Sequence, residues 1–172
     1  LMSSSALTAY VDYGTSGKTF TSKSIVSPLI SNTPVVFELK NLKSDQKYFY
    51  RIRYKDETAK TYAISKTYSF QTARSAGKSF AFSLHGDTHP ERNGKMFNSE
   101  LYYVAMGNVA SQANDFHILM GDDFSIDPII GKGQATKENV EKIYRTHREW
   151  LGVIGPTTPV YLVNGNHEQA AQ

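Results

Sequence analysis

Residues 80–91 read FAFSLHGDTHPE. A short apolar run stops at a glycine, and a cluster of polar, chemically capable side chains follows at once. The pattern recurs twice downstream. FHILM (116–120) leads into GDDFSID (121–127), and VYLV (160–163) leads into NGNHE (164–168). Between the runs, apolar residues fall at helical spacing. Phe97, Leu101, Val104, Ala105 and Val109 form one stripe, and Val140, Ile143, Tyr144, His147, Trp150 and Leu151 form another, with Thr136 placed to cap it. The order β-α-β-α-β predicts parallel strands joined by crossover helices. Ligands of such sheets bind outside the carboxyl ends of the strands. The three polar clusters are therefore expected on one rim, each introduced by a Gly that lets the backbone turn sharply and approach a ligand closely.

Upstream the pattern is different. ALTAYVDYG, KTFTSKSIVS, VVFELKNL, KYFYRIRYK and KTYAISKTYSFQT alternate with period two or are rich in β-branched and aromatic residues. Asn, Asp, Pro and Ser clusters separate them. Short strands at this spacing predict an antiparallel sandwich. ARSAGKS (73–79) is small and polar. The expected organisation is thus a β-sandwich over 1–74, a linker at 75–79, and an α/β segment over 80–172. DYGTSGKTF lacks the first Gly of a phosphate-binding loop, because position 12 is Asp, and it lies among strands; it reads as a hairpin turn.

Composition sets the limits. The 172 residues are 40% hydrophobic and 20% charged, which predicts a packed core. Net charge is +3 with scattered Lys and Arg, and no basic face of the kind that binds nucleic acid is evident. There is no cysteine, so disulfides and thiolate metal sites are excluded. No apolar run reaches the ~20 residues that cross a bilayer, and LMSSSALTAYVDYG does not read as a signal peptide.

The three clusters bring together Asp87, His89, Asp122, Asp123, Asn166, His167 and Glu168. Without a cation the carboxylates would repel one another and raise a pKa. A divalent ion removes the conflict, and this N/O donor set suits Zn, Mn, Fe or Mg. Asp87 and His89 can chelate one ion from one loop, and Asp122 could bridge two. His85 precedes its turn and is expected to point into the sheet. His117 lies inside a strand and His147 on an apolar helix stripe, so both read as packed histidines. Arg92 and Asn93 are candidates for touching a phosphate or for a solvated loop.

GDTH, GDD and GNHE, in this order and each after an apolar strand, resemble the motifs of the calcineurin-like metallophosphoesterase superfamily. LKNLKSDQKYFYRIRY is similar to the signature of a fibronectin type III domain, which purple acid phosphatases carry before their catalytic domain. The resemblance implies a metal-dependent phosphoesterase, cleaving phosphate mono- or diesters, with two metal ions (Fe, Zn, Mn or Mg) and an extracytoplasmic location. Asp87 and His89 would hold the first ion, Asp122 would bridge, and Asn166 would hold the second. A hydroxide between the ions would attack phosphorus in line. His167 would act on the leaving-group oxygen, and Glu168 would orient His167. Purple acid phosphatases have Gly where His89 stands and a Tyr ligand where Ser125 stands, so tyrosinate-iron colour is not expected. The family's two later His motifs are absent from these residues.

The alternative is a structural or binding protein that keeps the phosphatase fold without activity. GDD also occurs in viral RNA polymerases, but that reading leaves GDTH and GNHE unexplained. Three parallel strands with two helices predict a sheet lacking cover on both faces. The sandwich has about five strand candidates against the seven of a fibronectin-like domain. Both features argue for a piece of a longer chain, inactive alone, whose remainder supplies the missing His ligands. An open edge beside VYLV would otherwise invite self-association or a partner strand.

Overall fold

A computed structural model describes residues 1–92 and 94–169. The chain divides into two compact units, Leu1–Lys78 and Ser79–Gln172.

The first unit is an antiparallel sheet of six strands: β1 (Leu7–Gly14), β2 (Ser22–Lys23), β3 (Ser27–Leu29), β4 (Lys47–Lys55), β5 (Ala63–Ile64) and β6 (Tyr68–Gln71). Its spine is the long pair β1–β4, in register at Asp12↔Arg51 and Tyr13↔Tyr50. Alternation along β1 buries Ala9, Val11 and Tyr13 on one face. On β1's other face, Asp12 Oδ2 accepts from Arg51 Nε at 3.2 Å and Arg53 Nε at 2.9 Å. Tyr48 stacks on Phe70 and Tyr50 on Tyr68 across β4 and β6, the cross-strand aromatic pairs that favour this pleat. One expected strand is corrected. VVFELKNL (35–42) joins no ladder. It is held instead by single contacts: the Tyr13 hydroxyl donates to Lys40 O and accepts from Lys40 N.

The second unit carries a parallel sheet in the order β7 (Phe82–His85), β8 (Phe116–Leu119), β9 (Val160–Leu162). Helix α1 (Ser99–Ser111) links the first two strands. A short helix α2 (Asp127–Ile130) and helix α3 (Lys137–Leu151) link the last two. Both long helices start at side-chain caps. Asn98 Oδ1 accepts from Leu101 N, and Thr136 Oγ1 accepts from Asn139 N. The core is Phe97, Tyr102, Met106 and Ile154, with Trp150, Val109 and Val160 packed against it. The stripe expected on α1 is therefore corrected by about one position. Leu101 and Val104 are exposed, while Tyr102 and Met106, one turn apart, face inward. Their larger side chains fill the space between Phe97 and Trp150, with Tyr102 meeting both rings.

The sheet itself is buried on one side only. His117 and Leu119 of β8 have no solvent exposure. Phe82, Leu84 and Tyr161 are largely exposed. No helix among the described residues is long and apolar enough to cross a membrane.

Candidate metal centre at three strand ends

The parallel register places the ends of β7, β8 and β9 side by side, and the backbone locks them together. Met120 N donates to His85 O at 2.7 Å, Asp87 N to Gly121 O at 2.9 Å, and Val163 N to Leu119 O at 2.9 Å. Beyond these bonds the chain turns abruptly. Asp87, His89 and Asp122 have φ of 61°, 43° and 54°. That left-handed region is costly for residues with a Cβ, and outliers of this kind gather at functional sites.

Two glycines make the close approach. Gly121 (φ 97°) has no room for a side chain, because a Cβ would lie 2.6 Å from Gly165 N. A Cβ on Gly165 would run into the Asp122 carboxylate. The Gly of GDD is thus required by the backbone of Gly165, and the Gly of GNHE by Asp122. The result is that His89, Asp122 and His167 each offer a ligand atom, all within 4.8 Å of one another. This His/Asp group could hold a metal ion. The fit is also carried by the backbone, since Asp122 Oδ1 accepts from His167 N at 3.1 Å and so fixes the third loop against the second.

The other expected ligands are placed differently. Asp87 lies outside the three-residue group. Its side chain is 77% exposed, and its Oδ1 sits 3.0 Å from His89 Nε2. Asn166 is exposed. His89 is 2% exposed and His167 27%. His167, expected only as a catalytic group, thus belongs to the same cluster as the ligands.

Glu168 requires a correction. It does not orient His167. Its carboxylate is buried and turns back onto the backbone, accepting from Asp123 N at 2.7 Å, Phe124 N at 3.3 Å, Asp122 N at 3.0 Å and Gly165 N at 2.8 Å. Adjacency in sequence pointed to His167, but the turn after β9 aims residue 168 at the β8 loop. The orienting carboxylate is Asp127, whose Oδ2 meets His167 Nδ1. Sequence reasoning missed it. Its one signal is position: Asp127 opens α2, with Pro128 next to it at the first turn.

Desolvation pushes the Asp127 carboxyl up. Hydrogen bonds from His167 and Ser125, the His167 charge and the charge of Arg92 outweigh it and hold the carboxyl below its ordinary value. Arg92 thus lies close enough to act on the site's electrostatics. Asn93 falls outside the described residues. His85 and His117 hydrogen-bond each other beneath the rim, and His147 packs on Phe124 at 5.0 Å, as expected of core histidines.

No family model matches this chain, and no curated protein matches it.

Proposed function

We propose that this chain carries the site motifs of a metal-dependent phosphoesterase of the calcineurin-like type. The observation that supports the reading is the convergence of His89, Asp122 and His167 within 4.8 Å at three parallel strand ends, two of them on strained backbone. In the same reading the N-terminal unit is a fibronectin type III-like sandwich, and the protein works outside the cytoplasm.

Asp87 and His89 would hold one ion, Asp122 would bridge, and Asn166 would hold a second. Bound ions supply Lewis-acid polarisation of the phosphoryl group and an acidified water as nucleophile. Asp127 fixes the His167 ring through Nδ1, which leaves Nε2 as the nitrogen free to act. His167 is the more open of the two clustered histidines, so it is the one that meets the leaving-group oxygen of an arriving ester. Glu168 holds the β8 loop in the form that presents Asp122.

Asp122→Asn tests the reading. The expected outcome is loss of Mn²⁺ or Zn²⁺ binding by calorimetric titration and of aryl phosphate hydrolysis by the active protein. Metal affinity and activity unchanged in Asp122→Asn would overturn it. One observation favours the second reading, an inactive binding protein of this fold: Asp87 lies outside the three-residue group, largely exposed, with its carboxylate on His89. Metal binding without hydrolysis of either aryl or alkyl phosphates would select that reading.

A further inference from the structure

Beneath the rim, on the helix-covered side of the sheet, lies a polar chain that the proposed chemistry does not use. Ser83 Oγ is 2.7 Å from His117 Nδ1. His117 Nε2 is 2.7 Å from His85 Nδ1. His85 Nε2 is fully enclosed, has no well-aligned hydrogen-bond partner, and lies 3.2 Å from Asp123 Oδ1. His117 is 0% and Asp123 2% exposed. The Tyr102 ring packs edge-on to His85 at 5.8 Å and closes the chain from above.

The protons in this chain depend on one another. A neutral imidazole offers one donor and one acceptor, and a carboxylate only accepts. The 2.7 Å contact between two ring nitrogens needs one proton between them. Burial, reinforced by the neighbouring His85, pushes His117 down to about 4, so its ring is neutral near pH 7. With its proton on Nε2, His117 accepts from Ser83 and donates to His85 Nδ1; with its proton on Nδ1, it donates to Ser83 and accepts from His85 Nδ1. In either arrangement the link from Ser83 to His85 and Asp123 passes through the two ring nitrogens of His117.

The far end of the chain is tied to the candidate centre. Asp123 follows Asp122, and its backbone N–H is held by Glu168. Thr88, between Asp87 and His89, donates its hydroxyl to Asp123 O at 3.1 Å. His85 itself ends β7 and leads into Gly86 and Asp87. The relay therefore spans the two loops whose residues adopt left-handed backbone.

We propose that Ser83, His117 and His85 form a buried hydrogen-bond relay ending on Asp123, and that His117 is a positioning residue for the metal centre although it touches none of its ligands. The functional half of this proposal rests on the metal-centre reading; the relay itself does not. Outer hydrogen-bond partners of metal sites typically govern affinity by ~10–100-fold.

The test compares the wild-type chain with His117→Gln, whose amide can still donate toward His85, and His117→Phe, which keeps a ring without polar atoms. In long-range proton–nitrogen correlation spectra of the wild type at pH 7, the His117 ring should be neutral, with a single protonated nitrogen. His117→Phe should bind Mn²⁺ ~10–100-fold more weakly in calorimetric titration, with Gln recovering most of the loss. A His117 ring protonated on both nitrogens would overturn the relay. Mn²⁺ affinity unchanged by Phe, or reduced equally by Phe and Gln, would overturn the positioning role. Absence of Mn²⁺ binding by the wild type would instead sink the metal-centre reading. The relay would then be decided by the His117 protonation state and by amide exchange at His89 and Asp123, faster in His117→Phe if it holds and unchanged if it does not.

Discussion

Gly165 and Asp122 compete for one volume: the Asp122 carboxylate lies where a side chain at 165 would begin, and Asp122 N is 2.6 Å from that point. The β8 and β9 loops touch backbone to backbone, which is how Asp122 Oδ1 comes to accept the His167 N–H. Gly165→Ala should therefore force the loops apart. The expected cost is about 1–3 kcal/mol in urea denaturation, the range for overpacking a filled site, with weaker Mn²⁺ binding. A stability equal to wild type would mean the loops are spaced more widely than this.

Glu168 gathers four backbone N–H groups from two loops. Glu168→Gln keeps the shape but turns an NH₂ toward donors. Two of the N–H groups lose their acceptor and the other two keep only a neutral one, and the loss should be roughly 2–4 kcal/mol. Denaturation midpoints check it. A change confined to activity, with stability intact, would return Glu168 to the role of orienting His167.

Asp127→Asn should behave in the opposite way. Asp127 is bound to the His167 ring rather than to a loop backbone, so its loss should reduce turnover by ~10–100-fold with a small effect on the fold. The pH dependence follows from its lowered carboxyl. A carboxyl depressed by folding stabilises the native state fully above its ordinary value of 3.8, and that contribution fades as pH falls through the lower folded value. The carboxyl's contribution to the stability difference between wild type and Asp127→Asn should thus be complete by about pH 5 and shrink below about pH 4. A difference that disappears already at pH 6 would contradict the assignment.

The sequence made the three strand ends legible because apolar runs and their stopping glycines are local signals. Asp87, His89, Asp122, Asn166 and His167 could be named from those stops. Asp127 could not, since it reaches His167 across 40 residues of chain through the placement of α2. Glu168 was misassigned for the complementary reason: its neighbour in sequence is not its partner in space. On α1, apolar residues surround the helix closely enough that periodicity fitted Leu101 and Val104, while packing against Trp150 selected Tyr102 and Met106. VVFELKNL has strand-forming residues but finds no ladder, since β1 already pairs with β2, β3 and β4.

His167 decides between two chemical roles. The structure groups it with His89 and Asp122, and an imidazole held by a carboxylate at Nδ1 suits a metal ligand as well as an acid. Its greater exposure favours contact with substrate. In the active protein, His167→Ala should lower kcat by ~10²-fold or more while metal content stays near wild type. The loss should depend on the leaving group. An alkyl phosphate releases a strongly basic alkoxide that needs a proton, whereas an activated aryl phosphate does not, so the aryl ester should suffer less. Loss of metal in His167→Ala would make it a ligand. Equal losses on both esters with metal retained would remove the acid role and leave electrostatic stabilisation of the departing oxygen, because that contribution needs no proton transfer.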